Sequence, residues 1–226
     1  LRRILAETSI PWIRLMYLYP TGVNEQLLEL MAGNSRILPY MDIPFQHVSD
    51  EILRKMNRRY GYDDLCSFIE KVRKAQPDIA LRTTMMVGFP GETEAHVQQL
   101  EGFLTAYRLD HVGVFAYTNE EGARSEFFPA QVEEEVKQER MERILALQAK
   151  ISADIMQKYV GRTLPVLVDG LSRETDLLLE GRTVYQAPDI DGCVYINDGV
   201  ANPGDIVQVH ITEAQVYDLV GGVVQD

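Results

Sequence analysis

The sequence holds only two cysteines, Cys66 and Cys193, in 226 residues. Two distant thiols make no disulfide scaffold and show no metal-binding spacing. The four histidines, His47, His96, His111 and His210, share no ligand spacing either. No apolar run approaches the roughly 18–20 residues that cross a bilayer, and no signal peptide is read at the start. These absences point to a reducing cytoplasm, and no membrane partner is expected. Basic residues are scarce as well: 22 Lys and Arg stand against 34 Asp and Glu, a net charge of −12. Nucleic-acid binding rests on neutralising phosphates, so this balance disfavours RNA and favours a basic protein partner. There is no internal repeat. The opening Leu1-Arg2-Arg3 carries no methionine, which reads as part of something longer.

What is present is ordinary globular material, 46% apolar and 25% charged, enough for a sizeable core. The first three-quarters alternates strand-like and helix-like segments. Strands are expected at Trp12–Tyr19, Ile37–Phe45, Ile79–Val87 and His111–Tyr117. Helices are expected at Asn24–Met31, Ser49–Met56 with Ser49 as its cap, Tyr62–Lys74, Thr93–Tyr107 and Glu133–Tyr159. Such alternation implies a parallel sheet with crossover helices. Four strands are short of a closed eight-stranded barrel.

Near Gly161 the texture changes to short β-branched strands between turns: Leu164–Val168, Asp176–Gly181 with Arg182–Gln186 behind it, Cys193–Ile196, Asp205–Ala214 and Tyr217–Val220. This is the pattern of a small β-barrel. The expected division is 1–157 and 158–226. The tail has four basic against eleven acidic side chains, net −7, so it is the more acidic part per residue.

Several strings carry chemistry. Val87-Gly88-Phe89-Pro90-Gly91-Glu92-Thr93 closes a strand and opens a helix. Glycines there allow a tight turn and close approach of a ligand, and ligands bind at the carboxyl ends of parallel strands. No Gly-Lys-Ser/Thr follows, so this is not a Walker loop. A plain strand–helix turn is the competing reading. Asp42-Ile43-Pro44-Phe45-Gln46-His47 also ends a strand. His47 there is more often structural than catalytic. Arg82, inside a buried strand, needs a partner. Either a ligand carboxylate or an internal bridge to Asp42 would serve. Asn57-Arg58-Arg59-Tyr60 and Arg2-Arg3 read as solvated basic surface.

Together these strings resemble a known family. Tyr40 to His47 with Ser49-Asp50, Met56 to Arg59, Arg82 to Thr93, Val112 to Tyr117 with Glu121-Gly122, and Trp12 to Thr21 look like the RimO branch of the radical-SAM methylthiotransferases. The tail is similar to the TRAM domain that closes those proteins. The sister branch, which modifies adenosine in tRNA, usually has Gln-Ser-Gly-Ser where this chain has Gln46-His47-Val48-Ser49.

The resemblance implies an α/β fold: the C-terminal part of a partial (β/α)6 radical-SAM barrel, followed by the small all-β TRAM barrel, which is OB-like. It implies an enzyme that uses S-adenosylmethionine (SAM) and two [4Fe–4S] clusters. The acceptor is the β-carbon of an aspartate in small-subunit ribosomal protein twelve, docked by the acidic TRAM domain. The radical cluster needs a Cys-x3-Cys-x2-Cys loop, absent from these residues, so its ligands are expected upstream of Leu1 and the chain alone is expected to be inactive. No side chain is assigned as catalytic or as a metal ligand. Gln46, Arg82, Met86, Gly88, Phe115 and Tyr117 are expected to line the cofactor end. Gln46 and Arg82 would make polar contacts to SAM, with Met86 and Phe115 flanking adenine. The competing readings are the tRNA-modifying sister and a non-catalytic scaffold with an OB-like module.

Overall fold

The computed structural model describes residues 1–224. Chain contacts group them into two compact units. One comprises Leu15–Gly33 and Met41–Gln148; the other comprises Leu1–Arg14, Asn34–Tyr40 and Ala149–Asp226.

The first three-quarters contains α1 (Arg2–Glu7), β1 (Ile13–Leu15), α2 (Glu25–Ala32), β2 (Ile37–Asp42), α3 (Asp50–Lys55), α4 (Tyr62–Ala75), β3 (Ala80–Val87), α5 (Glu94–Tyr107), β4 (His111–Ala116) and the long α6 (Glu134–Met156). The four strands form one open sheet in the order β1-β2-β3-β4, the expected count. β3 and β4 run parallel, with Arg82 opposite His111 and Met86 opposite Phe115. Period two divides β3 cleanly. Leu81, Thr83, Met85 and Val87 are buried, whereas Arg82, Thr84 and Met86 are half-buried on the opposite face. The register sets Gly113 and Phe115 beside Thr84 and Met86 on that more open face.

Local chemistry explains the element ends. Asn24 caps α2, its side chain accepting the Leu27 N–H at 2.9 Å. On α4, Leu65, Ile69 and Val72 are buried, an i, i+4, i+7 stripe. β1 is shorter than the apolar run from Trp12 to Tyr19. Tyr17 turns into the left-handed region (φ 55°), and Leu18 N–H then donates to the Asp42 carbonyl. Ser49 precedes α3, but its side chain makes no cap hydrogen bond. Asp50 and Glu51 in the first turn complement the helix dipole instead. Sequence periodicity missed α1. The Arg36 guanidinium gathers the carbonyls of Leu5, Thr8 and Ile10 at 2.7–2.8 Å, so this short helix is held by a side chain far along the chain.

The tail forms β5 (Thr163–Leu171), β6 (Leu179–Thr183), β7 (Val194–Asp198), β8 (Ile206–Ala214) and β9 (Leu219–Val223), closed in the order β5-β6-β7-β9-β8. The β7–β9 pair is parallel and the others antiparallel. Leu164, Val166, Val168, Val194, Ile196, Val209, Ile211 and Leu219 fill the barrel. Asp176–Gly181 and Arg182–Gln186 were expected as two strands, but one is present. The Gln186 side chain accepts both the Thr183 N–H and its hydroxyl at 3.0 Å, which turns the chain there. Among the described residues, no helix is long and apolar enough to cross a membrane.

Candidate functional site

Three strand ends converge in the unit that contains β3 and β4. After β2 the chain reaches Gln46, held in the left-handed region (φ 72°). Its N–H donates to the Thr84 carbonyl at 2.8 Å and its carbonyl accepts the Met86 N–H at 2.7 Å. This latch onto β3 fixes the backbone from which the Gln46 amide projects. After β4, the Tyr117 N–H donates to the Val87 carbonyl at 2.8 Å. After β3, Gly88 turns with φ 75°, a conformation that favours glycine. A Cβ there would overlap the Lys137 stem.

These ends border a cavity of about 700 Å³, within the usual size range of small-molecule sites. Gln46, Met86, Phe89 and Tyr117 come from the strand ends. Arg54, Lys55, Met56, Asn57 and Arg58 come from the end of α3, and Arg124, Ser125 and Phe128 from the turn after β4. Its apolar wall is well built. Phe89 packs edge-on against Tyr117 (5.1 Å) and Phe128 (6.1 Å), and Ile52, Met56 and Met86 join the same cluster. Aromatic and thioether surface of this kind suits a planar heterocycle.

The expected site residues are thus split. Gln46, Met86 and Tyr117 line the cavity; Arg82, Gly88 and Phe115 are not among its lining. Arg82 Nε lies 3.7 Å from Asp42 Oδ1, the internal ion pair that the sequence left open. Gly88 is buried under Lys137, and Phe115 is 56% exposed on the open face of the sheet.

His47 has a structural setting. Its imidazole is wholly buried, and Nδ1 accepts the Ser49 N–H at 2.9 Å. The ring proton therefore sits on Nε2, which faces Glu92 Oε2 at 3.4 Å. That contact is electrostatic rather than an aligned hydrogen bond, since neither atom finds a hydrogen-bond partner. Glu92 Oε1 takes a 2.9 Å bond from buried Arg140 on α6.

Reading Asn57-Arg58-Arg59-Tyr60 as solvated surface missed Arg58, which is half-buried and lines the cavity. Tyr60 is buried too. Its hydroxyl donates to the Phe45 carbonyl at 2.9 Å, and burial pushes its pKa up to about 12. The available signal was an Asn followed by two Arg at a helix end, a common left-handed close. Nothing in the sequence says which way that close faces. Phe89 and Phe128 were missed for the same reason.

Which groups would this site hold? The cavity's aromatic and thioether wall fits the planar base of a nucleoside such as SAM carries. An iron–sulfur cluster does not fit the donors present. Cys66 and Cys193 are both free thiols, and among the described residues no three His, Cys, Asp or Glu gather as a metal site.

Comparisons with known proteins complete the picture. Residues 1–104 match the Radical SAM superfamily and residues 160–224 match the TRAM domain. A Desulfotalea psychrophila protein named ribosomal protein uS12 methylthiotransferase RimO is 58% identical over 99% of this chain and 51% of its own length. A protein of the same name from Syntrophotalea carbinolica is 43% identical over the whole chain and 50% of its own length. The chain thus spans about half the length of these curated relatives. Among solved structures, coproporphyrinogen III oxidase (HemN) from Escherichia coli, titled a radical SAM enzyme, aligns with a TM-score of 0.54. That alignment covers 95% of this chain and 52% of the other at 11% identity, a likeness of fold alone.

Proposed function

Because this chain belongs to the radical-SAM methylthiotransferases, we propose that the full-length protein transfers a methylthio group to the β-carbon of an aspartate in ribosomal protein uS12. The single observation that carries this is the 58% identity over 99% of the chain to a protein bearing that activity in its name. An unactivated C–H bond yields to no side-chain base, and bound SAM supplies the radical chemistry that it requires. This chain's own residues bind and orient. Gln46 places an amide at the cavity floor, Met86 and Phe89 offer faces for adenine, and Tyr117 closes the wall. Arg82 stands beside Asp42 and outside the cavity lining, so its expected contact with the SAM carboxylate requires the guanidinium to be shared between that group and Asp42. The test is Arg82→Ala, expected to weaken SAM binding; unchanged affinity removes that role. Two [4Fe–4S] clusters are assigned to thiolates outside these 226 residues, since Cys66 and Cys193 do not form a ligand set.

Docking of the basic acceptor is assigned to the barrel, with 1–157 as the barrel-derived part and 158–226 as the docking domain. A groove of about 240 Å³ on it is lined by Asp169, Glu174, Glu180, Asp189, Asp191 and Asp218, against Arg173 and Arg182. Those two arginines pair with Asp189 and Asp169, so the remaining charge is negative. A tRNA-binding domain would need the opposite sign. Cytoplasmic location follows from a ribosomal substrate.

The deciding experiment is anaerobic reconstitution of the full-length gene product with iron, sulfide, SAM and a reductant. It is then incubated separately with uS12 and with tRNA. Mass spectrometry should find the methylthio gain on an aspartate of uS12. A gain on tRNA adenosine and none on uS12 would overturn the reading.

A further inference from the structure

The cavity at the strand ends is charged with one sign. Its lining includes Arg54, Lys55, Arg58 and Arg124 and neither Asp nor Glu. This occurs in a chain whose acidic side chains outnumber basic ones 34 to 22. Lys55 is already engaged. Its Nζ lies 2.8 Å from Glu51 and holds that carboxyl below its usual range. Arg54, Arg58 and Arg124 make no ion pair with any described residue. Arg54 lies near enough to Glu51 to lower that carboxyl, and Arg54 and Arg58 also border a smaller cavity with Asp50 and Asp64. Yet none of the three guanidinium groups is closed off by an ion pair, so each keeps donors for an incoming anion.

Arg58 is the best positioned of the three. Asn57 sits in the left-handed region (φ 58°), and the Arg58 N–H returns to the Leu53 carbonyl at 2.8 Å. This pattern closes α3 and fixes the backbone under Arg58. The guanidinium also lies over the Tyr19 ring, 5.8 Å from its centroid. Arg54 and Arg124 are exposed, so the cationic edge is open to a ligand that comes from solvent.

We propose that this edge, with Arg58 at its centre, binds the side-chain carboxylate of the acceptor aspartate and so selects the acceptor. The inference rests on the methylthiotransferase reading and deepens it. Arginine matches a carboxylate with two parallel hydrogen bonds. A site built for a charged group rejects the neutral isostere, because its own cations are then left unpaired. The methionyl carboxylate of SAM has the same chemistry. An acceptor on a macromolecule must reach the cavity from its open side, and that is the side on which the exposed guanidinium groups lie.

The experiment compares the full-length, cluster-loaded enzyme with its Arg58→Gln, Arg58→Lys and Arg124→Gln forms. Substrates are uS12 and uS12 with asparagine at the acceptor position, and SAM affinity is measured separately by equilibrium dialysis. The unsubstituted enzyme should prefer aspartate. Arg58→Gln should raise KM for uS12 about 10- to 100-fold and erase that preference. Arg58→Lys should recover part of the loss. Arg124→Gln, on an exposed turn, should move the same way by less, and it carries the test if Arg58→Gln does not fold. Several outcomes overturn the proposal: a rise in the SAM Kd without change in the uS12 KM, an equal rate on the asparagine acceptor, or competition by a tRNA stem-loop. If the unsubstituted enzyme leaves uS12 unmodified, the functional reading itself fails before any variant is compared.

Discussion

Glu92 and Arg140 tie the turn after β3 to α6, and removing one of them should cost more than removing both. The Glu92 side chain is wholly buried and that of Arg140 is 9% exposed. Arg140 Nη1 donates to Glu92 Oε1 at 2.9 Å and to the Glu92 carbonyl at 3.3 Å. In Glu92→Leu the guanidinium keeps one carbonyl and loses its counter-charge. In Arg140→Met the carboxylate keeps only the His47 Nε2 at 3.4 Å. Stranding one charge of a buried pair costs about 3–5 kcal/mol, whereas replacing both by apolar groups is often close to neutral. For a chain of this size about 2–4 °C of Tm corresponds to 1 kcal/mol. Each single variant should therefore lose roughly 6–20 °C. The double variant should lose less than either single. Thermal melts by circular dichroism at pH 7 give all four corners of the cycle. A double variant that loses the sum of the two singles would refute the buried-pair argument. Phe89, three residues before Glu92, lines the cavity, so the singles should also weaken ligand binding.

Three further perturbations follow. Gly88→Ala puts a Cβ at φ 75° against the Lys137 stem, and a loss of about 1–3 kcal/mol is expected by urea unfolding; an unchanged midpoint would show that the turn relaxes freely. Burial raises the pKa of Asp110 above the ordinary aspartate value, only partly offset by the Leu81 N–H that it accepts at 2.8 Å. A raised carboxyl favours folding below its unfolded pKa, and that contribution is lost as pH rises through the folded value. Asp110→Asn should therefore raise Tm at pH 7 and lose that advantage near pH 3, and a pH-independent change would contradict the cause. Burial also pushes the Cys193 thiol up to about 12. Alkylation by iodoacetamide at pH 8 should be more than about 100-fold slower than for glutathione, and a comparable rate would mean that the thiol is accessible as thiolate.

Much of this protein is written locally. The four strands, the α4 stripe of Leu65, Ile69 and Val72, the Asn24 cap and the change of texture near Gly161 depend on residues within a few positions of one another, so periodicity and turn chemistry reveal them. The acidity of the tail is likewise a property of composition. What the resemblance supplied, the family and its cofactors, came from strings that local physics alone leaves generic.

Tertiary structure decided the rest. Arg36 holds α1 through three carbonyls, and Tyr17 ends β1 early by turning toward Asp42; neither partner is near in sequence. Arg82 had two candidate partners on paper, and the fold set it beside Asp42. The clearest case is Arg58. A run of Asn and Arg at a helix end carries no mark of direction, because a side chain three residues beyond a helix points wherever the left-handed close sends it. Only when the ends of β2, β3 and β4 are brought together does that close face a cavity. A stretch that reads as solvated surface then becomes the cationic edge of the site.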